Sequence, residues 1–199
     1  SAVIIATCAF TGYLFLTYLP TYIEGISEPV RYSLVAAVVL AAVLSSTDIR
    51  YVKWLGLLSS GLFFGLIGLL WLASGMGPLG LAQSASNIGG YFANLPKFTQ
   101  PITDYHAFYL FWWFAWSIMI GQFVARFVGG LRTDQLLLAL LIIPSIPIAL
   151  WFSVLYYYHT NAIDLTGLLQ LSMVSVGIIF VVNSLDSLTR LYSENLGLT

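Results

Sequence analysis

The chain has 199 residues, of which 59% are hydrophobic and only 8% are charged. Soluble domains average about 25% charged residues, so this chain cannot cover a water-exposed surface and must be solvated by lipid. A net charge of −1 leaves no basis for binding nucleic acid, and the single cysteine, Cys8, excludes an internal disulfide bond.

Six stretches have the length and composition of membrane-spanning helices, and none alternates in polarity like a strand of a membrane barrel. The sequence predicts one transmembrane domain with spans at residues 2–19, 30–45, 52–73, 107–128, 136–157 and 165–185. The first span is expected to stop at Pro20. The one long connection, residues 74–105, is rich in Gly, Ser, Asn and Pro. We expect it to be partly helical and to lie along the extracellular or periplasmic membrane surface.

Lysine and arginine are divided unevenly between the two sides of this predicted bundle. One side collects five of them and the other side two. The five are Arg50, Lys53, Arg126, Arg132 and Arg190, and the two are Arg31 and Lys97. Because positive residues favour cytoplasmic loops, we expect both chain ends to face the cytoplasm, in a plasma membrane of the bacterial inner-membrane type.

Three tryptophans lie within five residues of the fourth predicted span: Trp112, Trp113 and Trp116. An indole face attracts a cation through its π electrons, so it suits a quaternary ammonium group, which has no N–H to donate. The cluster therefore indicates a substrate-binding site for a methylated amine. The alternative is that these are interfacial tryptophans of the kind that line both membrane surfaces. Their close spacing, followed by the helix-weakening Ser117 and Gly121, favours binding.

Uncharged oxygen ligands occur at two places in the spans. Thr7 and Thr11 share one helix face, where they can ligate a small cation or instead bond to the preceding turn and to neighbouring helices. In the sixth span, Asn183 and Ser184, with a backbone carbonyl near Phe180, can supply oxygens to a hard monovalent cation. Packing or capping of a fraying helix end is the alternative for this second group.

The chain carries no signature of an enzyme. Its spans are almost free of ionisable groups, and it has no hydrolase, metalloprotease or phosphate-binding motif. We therefore expect no catalytic residues and no cofactor.

Three motifs resemble those of the betaine/choline/carnitine transporter family. Residues 111–133, FWWFAWSIMIGQFVARFVGGLRT, are similar to the family pattern WWxxWxPFxGxFxARxSRGRT. Residues 140–157, LLIIPSIPIALWFSVLYY, are similar to LLxPxxxxxxWFSxFGG, and residues 180–189, FVVNSLDSLT, to FFITSADSAS. Upstream, residues 53–55 resemble the KWLS at the start of another family helix.

The resemblance implies an all-α transporter fold of the sodium-leucine-symporter type, with two inverted five-helix repeats around a site at the membrane midplane. The chain would hold six of about twelve spans, as a fragment of the full transporter. The implied partners are the lipid bilayer, a small-molecule substrate, the missing helices and further copies in a homotrimer.

The resemblance also implies roles for individual residues. Trp113 would belong to an aromatic box around the substrate, and Trp112 and Trp116 would line the permeation path. Sodium would be bound by the residues that replace the family's carbonyl, Thr and Ser ligands, namely Phe180, Asn183 and Ser184.

Two departures from the family pattern concern sodium. Met119 stands where the family has a phenylalanine that helps one sodium site, and Asn183 replaces a threonine. Both weaken the expectation of sodium coupling more than that of the aromatic site, although an Asn amide oxygen can still ligate sodium.

Two functions follow from the sequence. The first is secondary active transport of a quaternary-ammonium or related zwitterionic osmolyte, of the betaine, choline or carnitine class, by sodium-coupled alternating access. The alternative is a truncated, transporter-derived structural subunit of a larger membrane complex.

Overall fold

The computed structural model describes residues 2–87, 89–98, 103–125 and 128–197. Throughout these ranges every regular element is helical, which confirms the predicted all-α class. The described elements are α1 Ala2–Tyr22, α2 Glu28–Ser46, α3 Ile49–Ala73, α4 Pro78–Ser86, α5 Gly89–Ala93, a 3-10 helix Leu95–Phe98, α6 Asp104–Ala125, α7 Thr133–Ile142, α8 Ser145–Thr160 and α9 Leu168–Asn195.

Five segments within the described ranges are long and apolar enough to cross a membrane. They are α1, α2, α3, the segment Thr133–Thr160 that contains α7 and α8, and α9. The chain is therefore a multi-pass membrane protein. The tryptophan-bearing helix α6 has 22 residues, which is also a sufficient length. Its crossing of the membrane stays a prediction.

Two prolines correct the predicted boundaries. The prediction that the first span stops at Pro20 is wrong, because α1 continues through this residue to Tyr22. A proline in the last turn removes only one hydrogen bond, and the amide of Ile23 still donates to the carbonyl of Leu19 at 2.9 Å. By contrast, the fifth predicted span is interrupted at Ile143 and Pro144, since a proline within an apolar segment has no N–H for the preceding turn and clashes with it.

The sixth predicted span also differs in extent from the observed helix. The sixth was predicted to end at residue 185, but α9 runs on to Asn195. The extra turns bury Leu188 and Leu191 and place Arg190 against Glu194 at 2.9 Å, so they are stabilised by packing and by an ion pair. Residues 74–105 contain α4, α5 and the 3-10 helix, and the location of this connection along the membrane surface stays a prediction.

The first of two compact units comprises α1, α2, α9 and the part of α3 up to Leu66. Helix α9 packs against both α1 and α2. The core between α2 and α9 is formed by Val38, Ala42 and Leu185. The small side chain of Ala42 lets α2 and α9 approach closely, which favours packing between membrane helices. Near the start of α9, the amide of Gln170 donates to the carbonyl of Tyr22 at 2.6 Å.

The second unit comprises residues 67–164, and here α4 packs against α8. Leu70, Val154 and Tyr158 are buried, and the Tyr158 hydroxyl donates to the carbonyl of Leu70 at 2.9 Å. This hydrogen bond joins the end of α3 to α8. The same unit contains α6.

Candidate functional site

The tryptophan helix α6 has a capped beginning. The hydroxyl of Thr103 accepts the backbone N–H of His106 at 3.1 Å, and the carbonyl of Thr103 accepts the N–H of Ala107 at 2.9 Å. Asp104 adds a carboxylate to the first turn, where it is favoured by the helix dipole. These groups position the start of α6 two turns before the tryptophans.

The aromatic side chains of α6 contact one another in two pairs. Trp113 and Trp116 meet edge to face, with ring centroids 5.6 Å apart and planes at 77°. Trp112 stacks on Phe108, with centroids 5.9 Å apart and planes at 23°. Trp113 is 62% exposed, whereas Trp112 and Trp116 are half-buried. Trp113 therefore presents indole surface while its neighbour supports the ring, which is a geometry suited to a cation–π contact.

The two threonines lie on α1, in the unit where α1 packs against α9. Thr7 is buried, and its hydroxyl donates to the carbonyl of Val3 at 2.7 Å. This bond to the preceding turn is the structural role that the sequence left open for Thr7, and ion ligation by Thr7 stays a prediction. Thr11 is half-buried and lines a cavity of about 450 Å³ together with residues of α9 such as Gly177 and Val181.

The predicted ligands of α9 point in different directions. The ring of Phe180 packs edge-on against Phe63 of α3, with centroids 5.6 Å apart. Asn183 also faces α3, because its Oδ1 would lie 3.8 Å from a Cβ atom added at Gly56. Ser184 is exposed instead, since successive residues of a helix are about 100° apart. The assignment of a sodium site to these residues stays a prediction.

One further residue of the predicted sodium site lies on α6, and one residue of the tryptophan motif is not described by the structure. Met119 is buried on α6, in the second unit. Arg126, which belongs to the tryptophan motif and to the orientation argument, lies outside the described residues.

The structure also reveals a polar cluster where the end of α2 meets α9. Asp186 is fully buried, and its two carboxylate oxygens accept the hydroxyls of Ser45 at 2.8 Å and Ser187 at 3.0 Å. Sequence reasoning placed Asp186 in a motif without giving it a role. A carboxylate in an otherwise apolar helix was the signal that could have identified it.

Asp48, in the turn between α2 and α3, is half-buried and accepts the backbone N–H of Arg50 at 2.8 Å. This hydrogen bond, with the guanidinium of Arg50 at 3.3 Å, holds the pKa of Asp48 below its usual value. The charged carboxylate therefore caps the beginning of α3 at neutral pH.

The described chain is thus a helical membrane protein with an aromatic cluster on one helix. Residues 5–158 match the family model described as BCCT, betaine/carnitine/choline family transporter. The chain belongs to this family, which confirms the resemblance seen in its motifs. The family consists of transporters, so the prediction that the chain is not an enzyme is also confirmed.

Relatives with transport functions share this similarity. An uncharacterized transporter of Mycobacterium tuberculosis is 32% identical over 131 residues, which are 60% of this chain and 21% of that protein. A glycine betaine transporter of Bacillus subtilis is 30% identical over 112 residues, 51% of this chain and 21% of its own length. An ectoine/hydroxyectoine transporter of Virgibacillus pantothenticus is 31% identical over 121 residues, 55% of this chain and 24% of its own length.

The chain spans about a fifth of the length of these first two relatives. No solved structure gives a significant match.

Proposed function

We propose that this chain contributes to secondary active transport of a quaternary-ammonium or zwitterionic osmolyte of the betaine, choline or carnitine class. The observation that carries the proposal is the aromatic cluster of α6, in which Trp113 exposes its indole and is held edge-on by Trp116. The family match and the transport functions of the glycine betaine and ectoine relatives support the same substrate class.

Substrate recognition would rest on the indole of Trp113. A trimethylammonium group spreads its charge over methyl groups, so it gains little from hydrogen bonds and more from a π face. Trp112 and Trp116 would then border the path along which the substrate passes. Alternating access would expose this path to each side of the membrane in turn.

Sodium is the proposed coupling ion. Thr7, Thr11, Asn183 and Ser184 bring neutral oxygens to helices of one unit, and neutral ligands avoid the cost of unpaired charge in the membrane. The carbonyl of Phe180 is a further proposed ligand on α9, and Met119 of α6 stays part of the predicted sodium set. The proposed setting is a bacterial plasma membrane, with both chain ends in the cytoplasm and a homotrimeric assembly.

Uptake of radiolabelled glycine betaine tests this function directly. Cells that lack their own osmolyte uptake would express the complete open reading frame, and uptake would be measured with and without external sodium. We expect saturable uptake that requires sodium and that choline, carnitine or ectoine inhibits. If the protein reaches the membrane but takes up none of these compounds, the structural-subunit alternative is favoured over transport.

A further inference from the structure

The buried carboxylate of Asp186 has no part in the function proposed above. It has no exposed surface, and the hydrogen-bond partners that the described residues offer it, Ser45 of α2 and Ser187 of α9, are neutral. These partners satisfy the oxygens as hydrogen-bond acceptors. They do not compensate the negative charge.

The neighbouring arginine pairs with a different carboxylate. Arg190 lies one helical turn further along α9, a spacing at which it would be able to pair with Asp186. Instead, its Nε lies 2.9 Å from Glu194 Oε1, which makes an ion pair but not a well-aligned hydrogen bond. Its Nη1 donates a hydrogen bond to the carbonyl of Ser46 at 3.3 Å. Arg190 and Glu194 thus neutralise each other.

A second ion pair of this region also carries no net charge. Arg50 pairs with Asp48 at 3.3 Å in the turn that follows α2. Among the described residues both pairs are internally neutral and no ion pair to Asp186 is formed, so its buried negative charge is left uncompensated. A buried carboxylate without a counter-charge is costly, and more so within a membrane span.

The ligand chemistry of the cluster indicates what supplies the missing charge. A carboxylate and two hydroxyls are hard oxygen ligands of the kind that alkali and alkaline-earth cations prefer. One net negative charge matches a monovalent ion. We propose that the Asp186 carboxylate, with the hydroxyls of Ser45 and Ser187, binds an alkali metal cation between α2 and α9.

Both serines are able to change from hydrogen-bond donor to ligand without leaving their helices. A serine hydroxyl within a helix can donate to a carbonyl of the preceding turn, which leaves its lone pairs free for an ion. The position is separate from the proposed coupling site, because Asp186 contacts α2 whereas Asn183 faces α3.

Equilibrium binding of radioactive sodium to the purified protein, expressed from the complete open reading frame, tests this proposal. N-methylglucamine would keep the ionic strength constant. Asp186→Asn has the same shape and can keep both serine contacts, and we expect it to bind one sodium ion fewer than the parent. Ser45→Ala and Ser187→Ala each remove one ligand and should weaken binding at this position about tenfold, the size of effect found when groups that support a metal site are removed.

The matched control is Asp134→Asn, which removes an exposed carboxylate paired with Arg132 at 3.0 Å and should leave sodium binding unchanged. Competition by K⁺ identifies the preferred alkali ion, and displacement of the Asp186-dependent sodium by K⁺ also supports the proposal. If folded Asp186→Asn binds as many sodium ions as the parent with equal affinity, the proposal is wrong. Should this variant fail to fold, unchanged binding in both serine variants overturns it.

Ser184→Ala separates this proposal from the sodium coupling proposed above. Loss of sodium binding in Asp186→Asn but not in Ser184→Ala supports the α2–α9 site alone. Loss in Ser184→Ala but not in Asp186→Asn supports the coupling site and overturns the inference about Asp186. Loss of one ion in each variant supports both sites.

Discussion

Replacing Trp113 by leucine tests the aromatic site most directly. Leucine keeps apolar bulk but removes the π face and the edge-to-face contact with Trp116, whose centroid is 5.6 Å away. A cation–π contact contributes about 0.5–1 kcal/mol at an exposed site and about 2 kcal/mol when desolvated. Trp113 is 62% exposed before substrate binds, and a bound substrate would cover its face, so a loss of about 1–2 kcal/mol is expected. This corresponds to a roughly tenfold weaker substrate affinity.

The assay is the concentration dependence of uptake of a trimethylammonium substrate, with the amount of protein in the membrane measured in parallel. Phe111→Leu is the matched control, because Phe111 is a neighbouring aromatic residue of α6 that is 77% exposed and lies outside the tryptophan pairs. Trp113→Phe retains part of the π surface and should give an intermediate affinity. Unchanged substrate affinity in Trp113→Leu would show that Trp113 makes no cation–π contact with the substrate and is a packing residue.

Three other predictions concern orientation, coupling and stability. In a Cys8→Ser background, an impermeant thiol reagent should label a cysteine at Thr160 in intact cells but not one at Gly129, and the reverse pattern would overturn the predicted topology. Gly129 is preferable to Gly130, whose φ of 87° would strain a cysteine. Ser184→Ala should raise the sodium concentration for half-maximal uptake and weaken substrate affinity at low sodium, and sodium dependence equal to the parent's would remove Ser184 from the coupling site. Tyr158→Phe should lower the free energy of unfolding by only about 0.5–1.5 kcal/mol, because the carbonyl of Leu70 still accepts the N–H of Ser74 at 2.9 Å; a loss of several kcal/mol in reversible unfolding would contradict this.

The membrane helices could be predicted from the sequence because the bilayer imposes their length and requires internal hydrogen bonding of the backbone. Their ends were harder to predict, as the two prolines show. Pro20 is accommodated in the last turn of α1, whereas Pro144 separates α7 from α8. Both residues are prolines, so the residue type alone does not predict whether the helix is interrupted. The outcome depends on whether the proline lies in the last turn of a helix or within a longer apolar segment.

The candidate sites could also be predicted only in part from the sequence. The spacing of the tryptophans identified an aromatic cluster, and two of its members do contact each other. Spacing along α9 could not show that Asn183 faces α3 while Ser184 is exposed, since this depends on the neighbouring helices. The partnership of Asp186 with Ser45 was also invisible, because 141 residues separate them along the chain.

Two of the polar contacts that hold α9 differ in how they would respond to mutation. Gln170 bonds to the main-chain carbonyl of Tyr22, so any residue at position 22 that keeps the backbone in place can accept this bond. Asp186 bonds to the side chain of Ser45, so a single substitution at position 45 removes the contact. Sequence drift should therefore be tolerated at position 22 and restricted at position 45 to residues with a hydroxyl or another small polar group.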